Sequence, residues 1–219
     1  MKKLGVMGLL VGTLFLAWCY FDSISSAQQF DVAKIMQDVE NTLEEIDTLQ
    51  CAYEQLYYRD ADGRTMIRRG MLTLKEPSHF RLEDSTKTVI ADGNTVWMYI
   101  PENNQVQIST FIDEAEEFPS PKSIFERYAS KRDAIWIEED SFDQRVFDVV
   151  MLPAPSSEES DVRVWIDREI RFPVMTFETY PNGDTAQYIL RDLTFNEPLD
   201  DDFFTFVPPE GADIVDLRE

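Results

Sequence analysis

Apolar residues recur at intervals of three to five positions between residues 32 and 51, a spacing that predicts an amphipathic helix. The apolar positions are Val32, Met36, Val39, Leu43, Ile46 and Cys51. Acidic residues occupy many of the positions between them, so one side of this helix faces a core and the other faces water. We therefore expect one helix before the first strand.

From residue 52 onward the pattern changes to short runs rich in Val, Ile, Thr and aromatic residues, the composition of β-strands. The runs predict strands at 52–59, 66–74, 79–83, 88–91, 95–100, 106–110, 134–138, 145–152, 162–167, 173–180, 186–195 and 203–206. Turn-forming residues separate several of them at Asp62-Gly63, Asp92-Gly93-Asn94, Glu102-Asn103-Asn104 and Pro181-Asn182-Gly183-Asp184. These connections indicate an antiparallel, meandering sheet whose alternating strands cover a core on one side.

About 11–12 strands can close into a barrel or a sandwich, and a closed barrel of that size has a wide interior that must be filled. The segment between the strands that end at residue 110 and those that begin at residue 134 can supply side chains to fill this interior. Pro119 and Pro121 divide residues 111–130 into two predicted helices with apolar side chains toward a core. The fold class is therefore mainly β with helices.

The first 27 residues have the pattern of a signal peptide. Lys2 and Lys3 give a positive start, residues 4–20 are nearly uncharged and apolar, and Ser25-Ser26-Ala27 supplies small residues for cleavage. We expect residues 1–27 to be removed on export and the protein to be periplasmic.

Residues 28–219 have the length of one domain. Two alternatives to a cleaved leader stay open: lipidation at Cys19, against which the large Trp18 before it argues, and an uncleaved membrane anchor. Once Cys19 leaves with the leader, Cys51 has no partner for an intramolecular disulfide. We expect Cys51 to be a small buried apolar residue rather than a reactive thiol.

The formal charge of −22 argues against nucleic acid as a partner and favours a soluble, self-repelling surface. His79 is the only histidine, so neither a histidine-based catalytic triad nor a histidine metal site is predicted. Asp200-Asp201-Asp202 lacks the spacing of a calcium loop. We expect no cofactor, no metal and no enzymatic activity.

Three segments in order resemble the outer-membrane lipoprotein carrier family, LolA and its relatives. They are residues 70–81 (GMLTLKEPSHFR), residues 90–106 (IADGNTVWMYIPENNQV) and residues 204–215 (FTFVPPEGADIV). The resemblance implies an unclosed antiparallel β-barrel, or half-barrel, with a helical lid over a hydrophobic cavity. It also implies a cargo of acylated lipoproteins, received from an inner-membrane lipoprotein-releasing transporter and passed to an outer-membrane acceptor by a monomer.

One departure from the family pattern is Glu76, which stands where the family has an arginine before the proline. That arginine is associated in the family with closing the lid and releasing cargo, so this role cannot be carried over. Phe80 stands at the family's aromatic position and is a cavity candidate by resemblance. Lys75 matches the family pattern too, without an assigned role.

The candidate residues for the cavity and its lid are Phe80, Trp97, Tyr99, Ile112, Phe118, Ile124, Phe125 and Tyr128. The alternative for each is an ordinary place in the core. Strand alternation forbids Met98 and Tyr99 from pointing to the same side, and the sequence does not decide which of them faces the cavity.

Two other functions stay open. One is a periplasmic module of the same fold that senses lipid or lipoprotein, and the other is a secreted hydrolase that uses carboxylates such as Glu138 or Asp192.

Overall fold

This computed structural model describes residues 32–111, 134–154 and 160–218. Within those ranges one α-helix, α1, occupies residues 32–44 and twelve strands follow. The strands are β1 (Thr48–Arg59), β2 (Arg64–Lys75), β3 (His79–Asp84), β4 (Thr88–Asp92), β5 (Thr95–Ile100), β6 (Gln105–Thr110), β7 (Ile135–Phe142), β8 (Arg145–Leu152), β9 (Val162–Asp167), β10 (Phe172–Thr179), β11 (Thr185–Phe195) and β12 (Asp213–Asp216). The short 3-10 helices are Pro101–Asn103 and Asp201–Phe204.

All twelve strands form a single sheet in the order β12-β6-β5-β4-β3-β2-β1-β11-β10-β9-β8-β7. The first and last strands of this order do not pair with each other, so the sheet is unclosed. The described pairings are antiparallel except that of β12 with β6, which is parallel. The prediction of a mainly β fold with a large unclosed antiparallel sheet is confirmed.

The turn residues behave as their chemistry predicts. Gly93 has a φ of 88° and Asn104 a φ of 46°, both in the left-handed region that glycine and asparagine tolerate best. Hairpins therefore form where the sequence places these residues, and several predicted strands begin and end within one or two residues of the observed ones.

The predicted helix is too long at its C-terminal end, because α1 ends at residue 44 and β1 begins at Thr48. Asn196 stabilises the turn between them: its Oδ1 accepts the backbone N–H of Asp47 at 2.8 Å, and its Nδ2 donates to the carbonyl of Glu45 at 3.0 Å. A residue 149 positions from Asp47 thus holds the turn that follows the helix, which local periodicity cannot indicate. In the described part of the chain, no helix combines the length and apolarity needed to cross a bilayer.

The predicted strand at 203–206 is wrong. Residues Asp201–Phe204 form a 3-10 helix instead, in which the N–H of Phe203 donates to the carbonyl of Asp200 at 3.1 Å. The turn directs Phe204 into the sheet, where it is fully buried. The chain then reaches β12, which the sequence analysis missed and which pairs with β6 over only four residues.

The two sides of the sheet carry different coverings. α1 packs on one side, which we call the helix face, and there Val39 and Leu43 join Cys51, Leu72 and further buried residues in the main hydrophobic cluster. We call the opposite side the outer face. Strand pairing assigns each residue to a face, because directly paired residues of antiparallel strands point to the same side.

The C-terminal segment covers part of the outer face. Phe204 packs edge-on against His79, with ring centroids 5.4 Å apart, and Tyr99 lies 6.2 Å from Phe206. Lys75 anchors the segment, since its Nζ donates to the carbonyl of Leu199 at 2.7 Å and to Asp201 at 2.6 Å. The lysine of the 70–81 motif therefore has a structural role here.

Candidate functional site

Apolar side chains form two rows across β2 to β5 on the helix face. One row runs through the pairs of Leu72 with Leu82, Leu82 with Val89, and Val89 with Met98. The other runs through the pairs of Leu74 with Phe80, Phe80 with Ala91, and Ala91 with Val96. The rows end on polar residues of β6, which are Gln107 opposite Met98 and Ser109 opposite Val96.

We call the half-buried members of these rows the apolar wall: Leu74, Phe80, Leu82, Val96 and Met98. Leu74 and Leu82 pack against the main hydrophobic cluster. Val89 and Ala91 lie between the wall residues and are fully buried. The wall is therefore a contiguous apolar surface that the described residues bury only in part, as a binding surface for apolar ligands requires.

The structure divides the predicted site residues between the two faces. Phe80 belongs to the apolar wall and has Phe111 beside it, at 6.5 Å between ring centroids. Trp97 pairs with Ile90 and Tyr99 with Thr88, which puts both aromatic side chains on the outer face. Phe80 therefore does not meet Trp97 and Tyr99. The remaining candidates, Ile112, Phe118, Ile124, Phe125 and Tyr128, lie outside the described residues.

The sequence analysis missed the other wall residues, Leu74, Leu82, Val96 and Met98. All four alternate with residues that face outward, which is the signal that could have found them. Met98 resolves the question of parity on β5: it points to the helix face, and Tyr99 points away from it.

Tyrosines lie on the helix face of β1 and β11 beyond the wall. The hydroxyl of Tyr53 donates to Asp84 at 2.8 Å, and the Nε2 of Gln55 donates to the hydroxyl of Tyr188 at 2.8 Å. Burial, followed by the hydrogen bond to Asp84, raises the pKa of Tyr53 above its usual range. The tyrosines therefore stay neutral and give this end of the helix face an amphipathic surface.

A cavity of about 550 Å³ lies between α1 and strands β7 to β9. Its lining includes the apolar side chains of Ile35, Trp136 and Ile166 and the charged side chains of Lys34, Asp38, Asp148, Asp167, Arg168 and Arg171. The charges are paired: Arg168 donates to Asp148, and Lys34 donates to Asp38 at 2.9 Å. The volume falls within the range of roughly 300–1,000 Å³ typical of small-molecule sites.

The structure does not bring together the carboxylates named for the hydrolase alternative. Glu138 on β7 and Asp192 on β11 are exposed, and three strands separate β7 from β11 in the sheet. His79 lies under Phe204 on the outer face. Among residues 32–111, 134–154 and 160–218, no group of three His, Cys, Asp or Glu side chains is arranged to hold a metal ion.

Cys51 is fully buried on the helix face, as expected, and burial raises the pKa of its thiol to about 12. We predict that the native protein does not react with a thiol reagent such as iodoacetamide at pH 8, because the thiolate is the reactive form. Mass spectrometry should find modification only after denaturation, and rapid labelling of the native protein would contradict the burial of Cys51. Burial of the neutral thiol contributes fully to the free energy of unfolding below pH 9, and this contribution is lost as the pH rises toward 12.

Comparison with known proteins identifies the family. The family model described as outer membrane lipoprotein carrier protein LolA matches residues 44–207. An outer-membrane lipoprotein carrier protein of Histophilus somni is 31% identical over 85% of this chain and 90% of its own length. A protein of the same name from Pasteurella multocida is 28% identical over 90% of this chain and 92% of its own.

A solved structure shares the fold. It is the crystal structure of an uncharacterized conserved protein from Thermus thermophilus, with a TM-score of 0.56 and 12% identity. The match covers 85% of this chain and 99% of that one. With the matched family model, the carrier relatives and the unclosed sheet with α1 on one face, this chain belongs to the outer membrane lipoprotein carrier family LolA.

Proposed function

We propose that this protein is a carrier that holds the acyl chains of lipoproteins against the apolar wall on the helix face of its open sheet. The observation that carries the proposal is the wall itself, the half-buried apolar side chains of two adjacent rows that cross the sheet from β2 to β5. The family and the names of its relatives support lipoprotein as the cargo.

The physical need for such a wall follows from the cost of exposing acyl chains to water. Each methylene moved out of water is worth about 0.8 kcal/mol, so a chain of roughly a dozen methylenes gains about 10 kcal/mol on burial. An apolar surface on a soluble protein supplies this burial without a covalent bond. The cargo can therefore be handed to any acceptor that offers more apolar surface.

The remaining parts of the proposal concern the cell. Residues 1–27 act as a cleaved signal peptide, and residues 28–219 work in the periplasm as one domain without catalysis. An inner-membrane transporter loads the protein and an outer-membrane acceptor unloads it. Glu76 replaces the family's arginine, so closure and release do not depend on a positive charge at that position.

The test compares two methionines that differ in face. Met98→Glu puts a carboxylate into the apolar wall, whereas Met151→Glu puts one at a half-buried position on β8. Residue 151 alternates with Val150 and Leu152 of the main hydrophobic cluster and so belongs to the outer face. We expect Met98→Glu to weaken binding of a purified acylated lipoprotein by about a hundredfold or more, because a buried unpaired charge is costly. Met151→Glu should bind as the unchanged protein does.

Urea unfolding of both variants checks that they stay folded. Equal binding by the Met98→Glu and Met151→Glu variants would overturn the wall as the binding surface. Binding of free lipid without transfer of lipoprotein to an outer-membrane acceptor would favour the sensing module instead.

A further inference from the structure

The hairpin of β1 and β2 projects beyond the rest of its half of the sheet. β3 pairs with β2 only from Gly70 to Lys75, so Arg64–Arg69 have no neighbouring strand on that side among the described residues. Six residues of a strand span about 20 Å. Every residue from Arg64 to Arg69 is exposed, which makes this end of the hairpin accessible from both faces.

The projecting end is apolar at its centre. Ile67 is 52% exposed and Met66 41% exposed, and they point to opposite faces of the strand. Tyr58 and Met71, also exposed, lie nearby on the outer face. Large apolar side chains gathered on one exposed projection mark a contact surface, whereas scattered ones do not.

The same end carries a small positive charge although the chain as a whole is strongly acidic. Residues 54–71 contain four arginines and three acidic residues, a net charge of +1, in a protein whose formal charge is −22. Asp62 pairs with Arg59 and Arg64, and Glu54 pairs with Arg69. The arginines are Arg59, Arg64, Arg68 and Arg69, and they flank the apolar pair on both sides along the sequence. This end therefore meets less electrostatic repulsion from an anionic surface than the acidic chain does on average.

We propose that the β1–β2 hairpin docks the protein on a membrane surface that contains anionic phospholipids. Met66 and Ile67 enter the boundary between headgroups and acyl chains, while the arginines extend their charged ends to the lipid phosphates. Two signals act together, since apolar side chains alone or a few basic residues alone bind membranes weakly. The proposal goes beyond carrying cargo and does not depend on it.

Docking by this hairpin would also orient the molecule. Met66, Arg68 and Gly70 are on the helix face, as are Tyr53 and Tyr57 of β1, which pair with Gly70 and Met66. The amphipathic end of the helix face therefore lies next to the lipid surface when the hairpin is docked.

The test is flotation of the processed, cargo-free protein with vesicles. One set contains phosphatidylglycerol mixed with phosphatidylcholine, and the other contains phosphatidylcholine alone. We expect flotation with the anionic vesicles at low salt, a loss of about tenfold or more with neutral vesicles, and a similar loss at high salt. No flotation with the anionic vesicles would overturn the proposal.

Matched variants test the hairpin itself. Ile67→Ser should reduce binding to anionic vesicles by about tenfold, whereas Val207→Ser, at a side chain 83% exposed in the C-terminal segment, should not. Arg68→Gln should weaken binding, whereas Arg163→Gln, at an exposed position of β9, should not. Equal effects of hairpin and control variants would contradict the assigned surface. A hairpin that does not bind vesicles, but pairs along its open edge with a strand of another protein, would also overturn the proposal.

Discussion

Replacing Gly70 with alanine is expected to lower the free energy of unfolding by about 3 kcal/mol, because the added methyl group would overlap paired backbone. A Cβ at this position would lie 2.0 Å from the carbonyl oxygen of Glu83 and 2.8 Å from Cε1 of Tyr53. The oxygen belongs to the paired backbone of β3, and the ring of Tyr53 is held by its hydrogen bond to Asp84. Neither neighbour can move without breaking a contact.

The control for this change is Gly63→Ala in the turn between β1 and β2. A Cβ there meets nothing within 4 Å, and the cost comes only from the left-handed φ of 65°, at about 1 kcal/mol. Urea unfolding followed by tryptophan fluorescence measures both. Equal losses for the two variants would show that β1, β2 and β3 do not approach as described. If Gly70→Ala does not accumulate as folded protein while Gly63→Ala does, that result supports the close approach of β1, β2 and β3 at Gly70.

Replacing Phe204 with alanine is expected to cost about 3–5 kcal/mol, the range for removing a fully buried aromatic ring. Phe204 is the one aromatic residue of the C-terminal segment with no exposed surface among the described residues, and it packs edge-on against both His79 and Phe203. Its ring joins the segment to the outer face of β3 and β4. Its loss should therefore also loosen β12 from β6.

Phe203→Ala provides the matched comparison, because Phe203 is 40% exposed, meets Phe204 edge-on and lies under the guanidinium of Arg81. We expect it to cost about 1 kcal/mol. Hydrogen exchange of the amides of β12 gives a second readout, which should accelerate in Phe204→Ala and change little in Phe203→Ala. A Phe204→Ala variant no less stable than Phe203→Ala would contradict the burial of this ring.

The sequence predicted the strands well where local chemistry defines them. β5, β8 and β9 have the predicted bounds, since β-branched and aromatic runs lie between strong turn residues. It failed where a distant residue decides. Asn196 holds the turn after α1, and the outer face buries Phe204. Neither contact can be read from the pattern of apolar and polar residues in its own segment.

The candidate site was predictable only in part for a related reason. Alternation along a strand shows that Trp97 and Tyr99 share a face. Whether Phe80 lies on the same face depends on the registers of β3 with β4 and of β4 with β5. A shift by one residue in either pairing would reverse the outcome. The family pattern drew attention to the aromatic residues, whereas the registers select Val96 and Met98 for the wall.

The most direct test of the central claim uses two neighbouring residues that differ in the face they occupy. Val96 lies in the apolar wall, and Thr95 is half-buried on the outer face. A photoreactive benzoylphenylalanine at each position, irradiated in cells and followed by mass spectrometry, reports what lies against each face. We expect position 96 to crosslink to acylated lipoproteins and position 95 not to. Crosslinking to acylated lipoprotein from position 95 alone, or from neither position, would contradict the helix face as the carrier surface.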